Sequence, residues 1–490
     1  MRTLQVLLTC LIFTLSTTAQ IIVTEPAFPT DDNPVVITYD ATQGSGGLEG
    51  YPGDVYAHTG VITNASSSPS DWRYVKADWG QNIPDTKMTR IGEDLYELEI
   101  NPTIREYYAV PTNEIIEQMA FVFRSAEPVG GSYLEGKTAS GGDIFVDVHQ
   151  GGMSVSFVTP DIKPVIISLG DSIPLRIQSV NADSILLYLD NELINSTSED
   201  DLRDTIIGME YGNSEVYALA KSEQQVVVDS FYYHVRKPVE VMELPQGIRD
   251  GINYLDNNTV ILSLFAPEKE FVNVLGDFNS WILDSGNQLF MTPDSMRYWI
   301  QLNGLEPGKE YVFQYVIDGK IWIGDPYADK TSDPHDEYIT EATYPGLIEY
   351  PEGQARGIAT VLQTGQEPFQ WQVSNFEPAA SEDLVIYEML VRDFTEEHSF
   401  QAVIDSLDYL VRLGINTLEL MPVNEFEDNS SWGYNPVYYF AVDKYYGPRE
   451  KLKELIDECH QRGIAVIMDI VLNHAYNPCP FVQMYFDGGK

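Results

Sequence analysis

Three cysteines in 490 residues are too few for a disulfide framework, and loss of an N-terminal leader holding Cys10 would leave only Cys459 and Cys479. Neither has a Cys/His cluster around it, so free thiols are expected rather than a zinc site. Basic residues are scarce as well: 29 Lys and Arg stand against 74 Asp and Glu, a net charge of −45. Such a chain repels phosphates. That excludes a nucleic-acid partner and disfavours anionic lipid, while a neutral polymer remains acceptable. Long apolar runs are missing after the N-terminus. None reaches the ~20 residues that a membrane helix requires, so no membrane span is expected.

The N-terminus itself is distinctive. Arg2 precedes the apolar stretch Leu4 to Leu15, and Thr17-Thr18-Ala19 supplies small residues before Gln20. This pattern predicts a secretory signal peptide over 1–19 and a secreted, periplasmic or cell-surface location. Hydrophobic residues make up 43% of the chain and aromatics 12%, enough to build cores rather than a disordered acidic tract. The length suggests roughly three or four domains.

From Ile21 to about Val235 the runs are short and strand-like, and their turns are rich in Gly, Pro, Asn and Ser. Tyr96–Ile100, Ala120–Arg124, Ile144–Val148, Ser184–Leu189 and Gln225–Val235 are examples. A break at His149–Met153 divides this region into two β-sandwiches, 21–150 and 153–236. A third β-module, 237–345, holds Val260–Phe265, Phe271–Phe278, Tyr298–Leu302 and Tyr311–Ile317. Asp318-Gly319 then predicts a hairpin into Lys320–Ile323. Residues 346–380 are rich in Pro, Gly and Gln and read as an irregular connection.

At Ser381 the pattern changes. Leu384–Tyr387, Ile415–Met421 and Ile464–Ile470 are continuous apolar runs, expected of strands buried on both faces. Between them, Phe400, Val403, Ile404, Leu407, Leu410 and Val411 recur at helical spacing, as do Leu452, Leu455, Ile456 and Cys459. Gly463 marks the end of the second helix. Strand, helix, strand, helix, strand predicts a parallel α/β arrangement over 381–490.

Chemistry-bearing residues gather where these strands end. The first closes on Tyr387-Glu388-Met389-Leu390-Val391-Arg392-Asp393-Phe394. A loop after the second carries Trp432-Gly433-Tyr434-Asn435-Pro436. The third runs into Asp469-Ile470-Val471-Leu472-Asn473-His474. In a (β/α)8 barrel the carboxyl ends of the strands form the catalytic face. The Asp-x3-Asn-His segment and the Gly-Tyr-Asn-Pro loop resemble the alpha-amylase superfamily of glycoside hydrolases, over about residues 384–485. The resemblance implies the first three strands of a (β/α)8 TIM barrel and retaining action on α-glucans. It makes Tyr434 a stacking face for glucose, with Trp432 beside it as a further substrate contact. His474 would donate a hydrogen bond to a sugar hydroxyl, and Asp469 would orient its neighbours as a buried carboxylate. In many members of that family the residue matching Asn473 ligates calcium. No cofactor is required, and calcium at Asn473 is the one metal expectation.

The third module resembles the early-set sandwich found before many such barrels, through Gly276-Asp277-Phe278-Asn279-Ser280-Trp281 and Ile323-Gly324-Asp325-Pro326-Tyr327-Ala328. Trp299 and Trp322 could present stacking faces there, or could join Trp281 in the sandwich core. In the first module Trp72, Tyr74 and Trp79, followed by Gly141-Gly142-Asp143, loosely resemble starch-binding sandwiches, making Trp72 and Trp79 candidate glucan contacts. All three modules are thus expected to be immunoglobulin-like or early-set sandwiches.

A retaining glycosidase needs a nucleophilic carboxylate and a carboxylic acid roughly 5 Å apart. The family's nucleophile motif, Gly-x-Arg-x-Asp, does not occur in these 490 residues. Glu388, Asp393 and Asp469 are not assigned those roles by the resemblance. The expectation is therefore the N-terminal part of an exported α-glucan hydrolase, inactive as it stands, with a final segment of low stability. A non-catalytic starch-binding protein with a vestigial barrel, or an α-glucan transglycosylase, are the alternatives.

Overall fold

The computed structural model describes residues 21–68, 70–138, 142–149, 151–160, 164–429 and 431–486. The expected signal peptide, Cys10 and Gly141 lie outside the described residues. Among the described residues no helix is long and apolar enough to cross a membrane.

In the first module alternation of apolar and polar residues sets two sheets face to face. Val35–Asp40 buries every second side chain and lies between Ile22–Glu25 and Leu95–Ile100 in a four-stranded sheet. The opposing sheet is built on Ile116–Ser125, which pairs with Val55–Thr63, Glu135–Gly136 and Ile144–Asp147. Ile37, Tyr39 and Leu98 from one sheet meet Val55, Phe121 and Phe123 from the other. The Tyr39 and Phe123 rings stack at 3.9 Å.

The second module repeats the device with its own core. Its long hairpin, Gly212–Lys221 against Val226–Arg236, faces the sheet of Ser172–Val180 across Phe157, Ile177, Leu187, Val216 and Phe231.

The third module packs the sheet of Val260–Phe265 and Arg297–Leu302 against the sheet of Val272–Gly276 and Glu310–Ile317. The Asp318-Gly319 turn has φ of 51° and 70°, the double left-handed geometry of a tight hairpin, and Ile321–Ile323 folds back as expected. The supposed irregular connection 346–380 is not wholly irregular. Ala359–Gln363 is a buried strand that pairs with both Glu310–Ile317 and Thr331–Ser332. This module therefore extends beyond residue 345. A five-residue strand with only Ala359, Val361 and Leu362 apolar, inside a Pro- and Gly-rich stretch, carries too little periodicity to stand out from its surroundings.

The C-terminal segment holds a parallel sheet in the order Ile386–Met389, Thr417–Leu420, Ala465–Met468, with Tyr387, Leu418 and Val466 in register. Helices Phe400–Asp405, Leu407–Leu413 and Arg449–Gln461 pack on one face over Met389, Leu418 and Leu420. Cys459 is buried in that core, where burial pushes its thiol up to about 12. The opposite face is open. Ile386 is 48% exposed and Ile467 37%, so among the described residues these apolar strands are covered on one side only. The loop expected after the second strand is a hairpin. Asn424–Phe426 pairs with Pro436–Val442, and Pro436 opens the second strand.

That hairpin leans on the third module. Val437, Tyr438 and Ala441 pack with Ala328 and Ile358, and the Asn429 side chain donates to the His335 carbonyl at 2.7 Å. Beneath it Lys444, 3% exposed, reaches Thr331 at 2.7 Å, Asp336 at 3.4 Å and Glu425. The contact between module and parallel sheet is thus a buried ionic cluster set within an apolar seam.

Candidate active site

The hairpin tip and the end of the third parallel strand assemble the site. The Asp469 N–H donates to the Leu420 carbonyl at 2.9 Å, prolonging the parallel ladder and aiming its carboxylate across the open face of the sheet. Tyr434 stands in the hairpin tip. Gly433 just before it has φ of 88°, and a Cβ there would run into the Pro422 carbonyl, so the loop shape requires glycine. Ser431 accepts from the Gly433 N–H at 2.9 Å and bonds the Asn435 side chain. Asn435 donates in turn to the Glu427 carbonyl at 3.3 Å.

These supports bring Tyr434, Asp469 and His474 together. The Tyr434 hydroxyl donates to Asp469 Oδ2 at 2.6 Å. That hydrogen bond, with partial burial and the negative charges of Asp469, Glu388 and Glu419, pushes the hydroxyl up to about 12. It therefore stays protonated across physiological pH, and its ring remains 38% exposed. The His474 Nε2 donates to the Tyr434 carbonyl at 2.7 Å, since a carbonyl can only accept. The neutral ring then offers Nδ1 as an acceptor and becomes a second donor only when protonated, which narrows the expected role of His474 as a donor to sugar. Tyr439 donates to the His474 carbonyl at 2.8 Å and fixes the backbone there.

The carboxylates follow from strand register. Glu388 and Glu419 are paired neighbours, Glu419 pairs with Ile467, and Asp469 lies two residues further on. All three therefore belong to the open face. Asp469 is half-buried rather than fully buried, because no element among the described residues covers that face. Asp393 is taken up elsewhere. Arg392 holds it bidentately at 2.7 and 3.1 Å and keeps its carboxyl below the usual range. Arg392 also donates to the Ser431 carbonyl at 3.2 Å, tying the end of the first strand to the Tyr434 loop. The site can thus seat a pyranose against Tyr434, with Trp432, 59% exposed, nearby in the same loop.

Asn473 is exposed, and among the described residues no group of three or more His, Cys, Asp or Glu is placed to hold a metal ion.

The tryptophans divide. Trp281 and Trp299 are buried with satisfied ring nitrogens, donating to Asp277 at 2.9 Å and to the Met242 carbonyl at 3.1 Å. They fill the third module. Trp322 is half-buried, and Arg356 lies over its ring at 4.7 Å, so that face already carries a guanidinium. In the first module Trp72 stacks on His58 at 5.5 Å. Trp79, 45% exposed, meets the same His58 edge-on at 5.1 Å and Tyr133 at 6.0 Å. His58, Glu419 and the buried Lys444 cluster are absent from the sequence reading. Only His58 had a local signal, as an alternate position in Val55–Thr63 beside the two tryptophans.

Residues 392–485 match the family model for the alpha-amylase catalytic domain. Malto-oligosyltrehalose trehalohydrolase of Saccharolobus solfataricus is 31% identical over 220 residues, covering 45% of this chain and 34% of that protein. The enzyme of the same name from Mycobacterium tuberculosis is 46% identical over 125 residues, covering 25% and 22%. A 1,4-alpha-glucan branching enzyme of Pseudoalteromonas atlantica is 29% identical over 226 residues, covering 43% and 28%. The chain spans about a third or less of the length of these relatives. Pullulanase from Paenibacillus barengoltzii is 21% identical with a TM-score of 0.39, covering 49% of this chain and 40% of that one.

Proposed function

Residues 392–485 belong to the alpha-amylase superfamily, and on that premise we propose that this chain is the glucan-recognising part of an exported α-glucan hydrolase. The constellation of Tyr434, Asp469 and His474 carries the reading. Tyr434 offers an aromatic face to the apolar face of a glucose ring. Asp469 holds the Tyr434 hydroxyl, and so the plane of the ring, through a 2.6 Å hydrogen bond. His474 fixes the loop backbone by donating from Nε2 to the Tyr434 carbonyl. The exposed Trp432 extends the contact.

In this reading the C-terminal segment is the start of a (β/α)8 barrel, and the preceding modules are immunoglobulin-like or early-set sandwiches. Bond cleavage would follow the retaining route, which needs two carboxylates flanking the bond. Neither Asp469, held by Tyr434, nor Asp393, held by Arg392, is disposed for it. The Gly-x-Arg-x-Asp nucleophile motif does not occur in these residues, and in this reading the 490-residue chain binds α-glucan without cleaving it. Export is supported by the apolar run Leu4 to Leu15. The paired Trp72 and Trp79 around His58 form a second platform for the polymer.

The test is direct. The chain is incubated with amylose, released reducing ends are assayed, and migration is followed in starch-containing native gels. No release is expected. Retardation should weaken for Tyr434→Ala and again when Trp72→Ala and Trp79→Ala are added. Release of reducing ends by the chain alone, or unchanged retardation of the triple variant, would overturn the reading.

A further inference from the structure

The hairpin tip that leads into the Tyr434 loop meets the third module at one short turn, Pro334–Tyr338. Two contacts made by His335 join them. The Asn429 side chain donates to the His335 carbonyl at 2.7 Å. The His335 Nδ1 lies 2.9 Å from Asp333 of its own module and 3.6 Å from Asp428 of the tip. One ring nitrogen thus faces carboxylates from both sides of the seam. Arg392 grips the tip as well, through the Ser431 carbonyl at 3.2 Å, just before Trp432 and Tyr434.

The neighbours decide what a charge on His335 does there. Against burial, the bond from His335 and the charge of Lys444 hold the Asp333 carboxyl below its usual range, so it stays ionised. Asp336, on the same turn, adds negative charge that Lys444 at 3.4 Å partly offsets. On the tip, burial and the Asp428 charge push the Glu427 carboxyl up. Tyr338 stacks near the ring at 6.5 Å, and its phenol is raised by Glu337, so it stays neutral. Lys320 and Arg356 line the same space. The imidazole alone faces both Asp333 and Asp428, and its ordinary value, about 6.5, lies near neutrality. The bond to Asp333, with the charges of Asp428 and Asp336, raises that value against burial. Charged, the ring bridges two carboxylates from two modules. Neutral, it can keep its bond to Asp333, but Asp333 and Asp428 then meet as like charges.

We propose that His335 is a pH-sensitive clamp on the Tyr434 loop: protonated, it bridges Asp333 and Asp428 and holds the hairpin tip to the third module, and neutral, it lets the tip go. For its bearing on sugar the clamp rests on the reading of Tyr434 given above. The ring binds its proton more tightly in the seam than in an unfolded chain. The hold is therefore complete below about pH 6.5 and fades as pH rises through the raised value. The loop is firm in acid and loosened in alkali.

Hydrogen exchange at the Trp432, Gly433, Tyr434 and Asn435 amides of the full chain, corrected for intrinsic rates, is measured at pH 6 and pH 9. A partly exposed ion pair is worth a factor of about two to five. His335→Gln, neutral at both values, should lower protection by that factor at pH 6 and leave it unchanged at pH 9. Asp428→Asn should match it at pH 6 and, with the like charge gone, raise protection at pH 9. Asp428 is 65% exposed, so this second variant tests the pair even if His335→Gln fails to fold. The double variant should be no worse at pH 6 than either single one. The Lys444 cluster responds to pH too, but equally in all these chains, and cancels from the ratios. Protection lowered equally at both pH values, or losses that simply add in the double variant, would overturn the clamp. Exchange as expected, with no retardation in starch gels at either pH, would support the clamp and sink the α-glucan reading instead.

Discussion

Replacing Lys444 by methionine tests how the sandwich and the parallel sheet are held together. Burial works against the charge of Lys444, yet Asp336 and Glu425 raise its affinity for a proton above the ordinary lysine value. Glu425 is pushed up to about 7 by burial, in spite of Lys444 and with Asp336 adding to the effect. Asp443 moves in the same direction through burial and the Glu425 charge. One cation therefore serves several buried carboxylates, and Glu425 Oε2 and Asp336 Oδ1 accept no other hydrogen bond. Removing one partner of a buried ion pair costs about 3–5 kcal/mol, because it strands the other charge. The contact opens locally, so the readout is hydrogen exchange at the backbone amides from Val437 to Val442. At about 1.4 kcal/mol per tenfold, exchange should accelerate roughly 100- to 5,000-fold at pH 7.5. The sign of the pH effect follows from the raised carboxyl values. Between pH 4.5 and 7 the folded cluster binds protons that the opened one has released, so stability falls as pH rises. The acceleration should therefore be smaller at pH 5. Adding Glu425→Leu should restore part of the protection. Acceleration of less than about fivefold at both pH values, roughly 1 kcal/mol, would refute the reasoning.

Two further substitutions probe the third module and the loop. Asp325 is fully buried, accepts from Tyr315 at 2.9 Å and from the Tyr327 N–H at 2.8 Å, and is pushed by burial from 3.8 up to about 6. The folded module holds a proton between those values that the unfolded chain releases, so its stability should fall by about 2 kcal/mol as pH rises from 4 to 7. Asp325→Asn keeps the shape without the charge, and thermal unfolding at the two pH values should show a clearly flatter dependence. An equal slope in both proteins would contradict the assignment. Gly433→Ala forces a side chain into the left-handed region and against Pro422, a cost of about 1–3 kcal/mol. Retardation in starch gels should drop as it does for Tyr434→Ala, and wild-type retardation would show that the loop tolerates the side chain.

Local signals made the parallel segment legible. Apolar runs of four to seven residues, a capping Gly463 and the Asp-Gly turn each act within a few residues, and each matches an element of the structure. Tyr434, Asp469 and His474 were legible as a group because a strand end and one loop carry them. Pairings distant in sequence were not. Lys444 finds Thr331 across 113 residues, and Arg356 finds Trp322 across a turn of chain with no periodicity of its own. Ala359–Gln363 was hidden by the composition around it. The open outward face of the parallel strands was expected of a sheet of only three strands, and its apolar sequence has a separate meaning. Continuous apolar sequence reports that a strand can be covered twice, and in the described residues helices cover it once.

The seam between the hairpin and the third module has a practical meaning for cutting the chain. The stretch matching the catalytic family begins at residue 392, after the first parallel strand and without any of the sandwich. A protein trimmed to that boundary would keep Lys444, Glu425 and Asp443 but lose Thr331 and Asp336, and would bare Val437, Tyr438 and Ala441 to water. Tyr434 would then sit at the tip of a hairpin with nothing beneath it. The unit that inherits a family resemblance and the unit that can stand upright are different here. The smaller piece worth expressing starts before Gly251, where the sandwich that braces the Tyr434 loop begins.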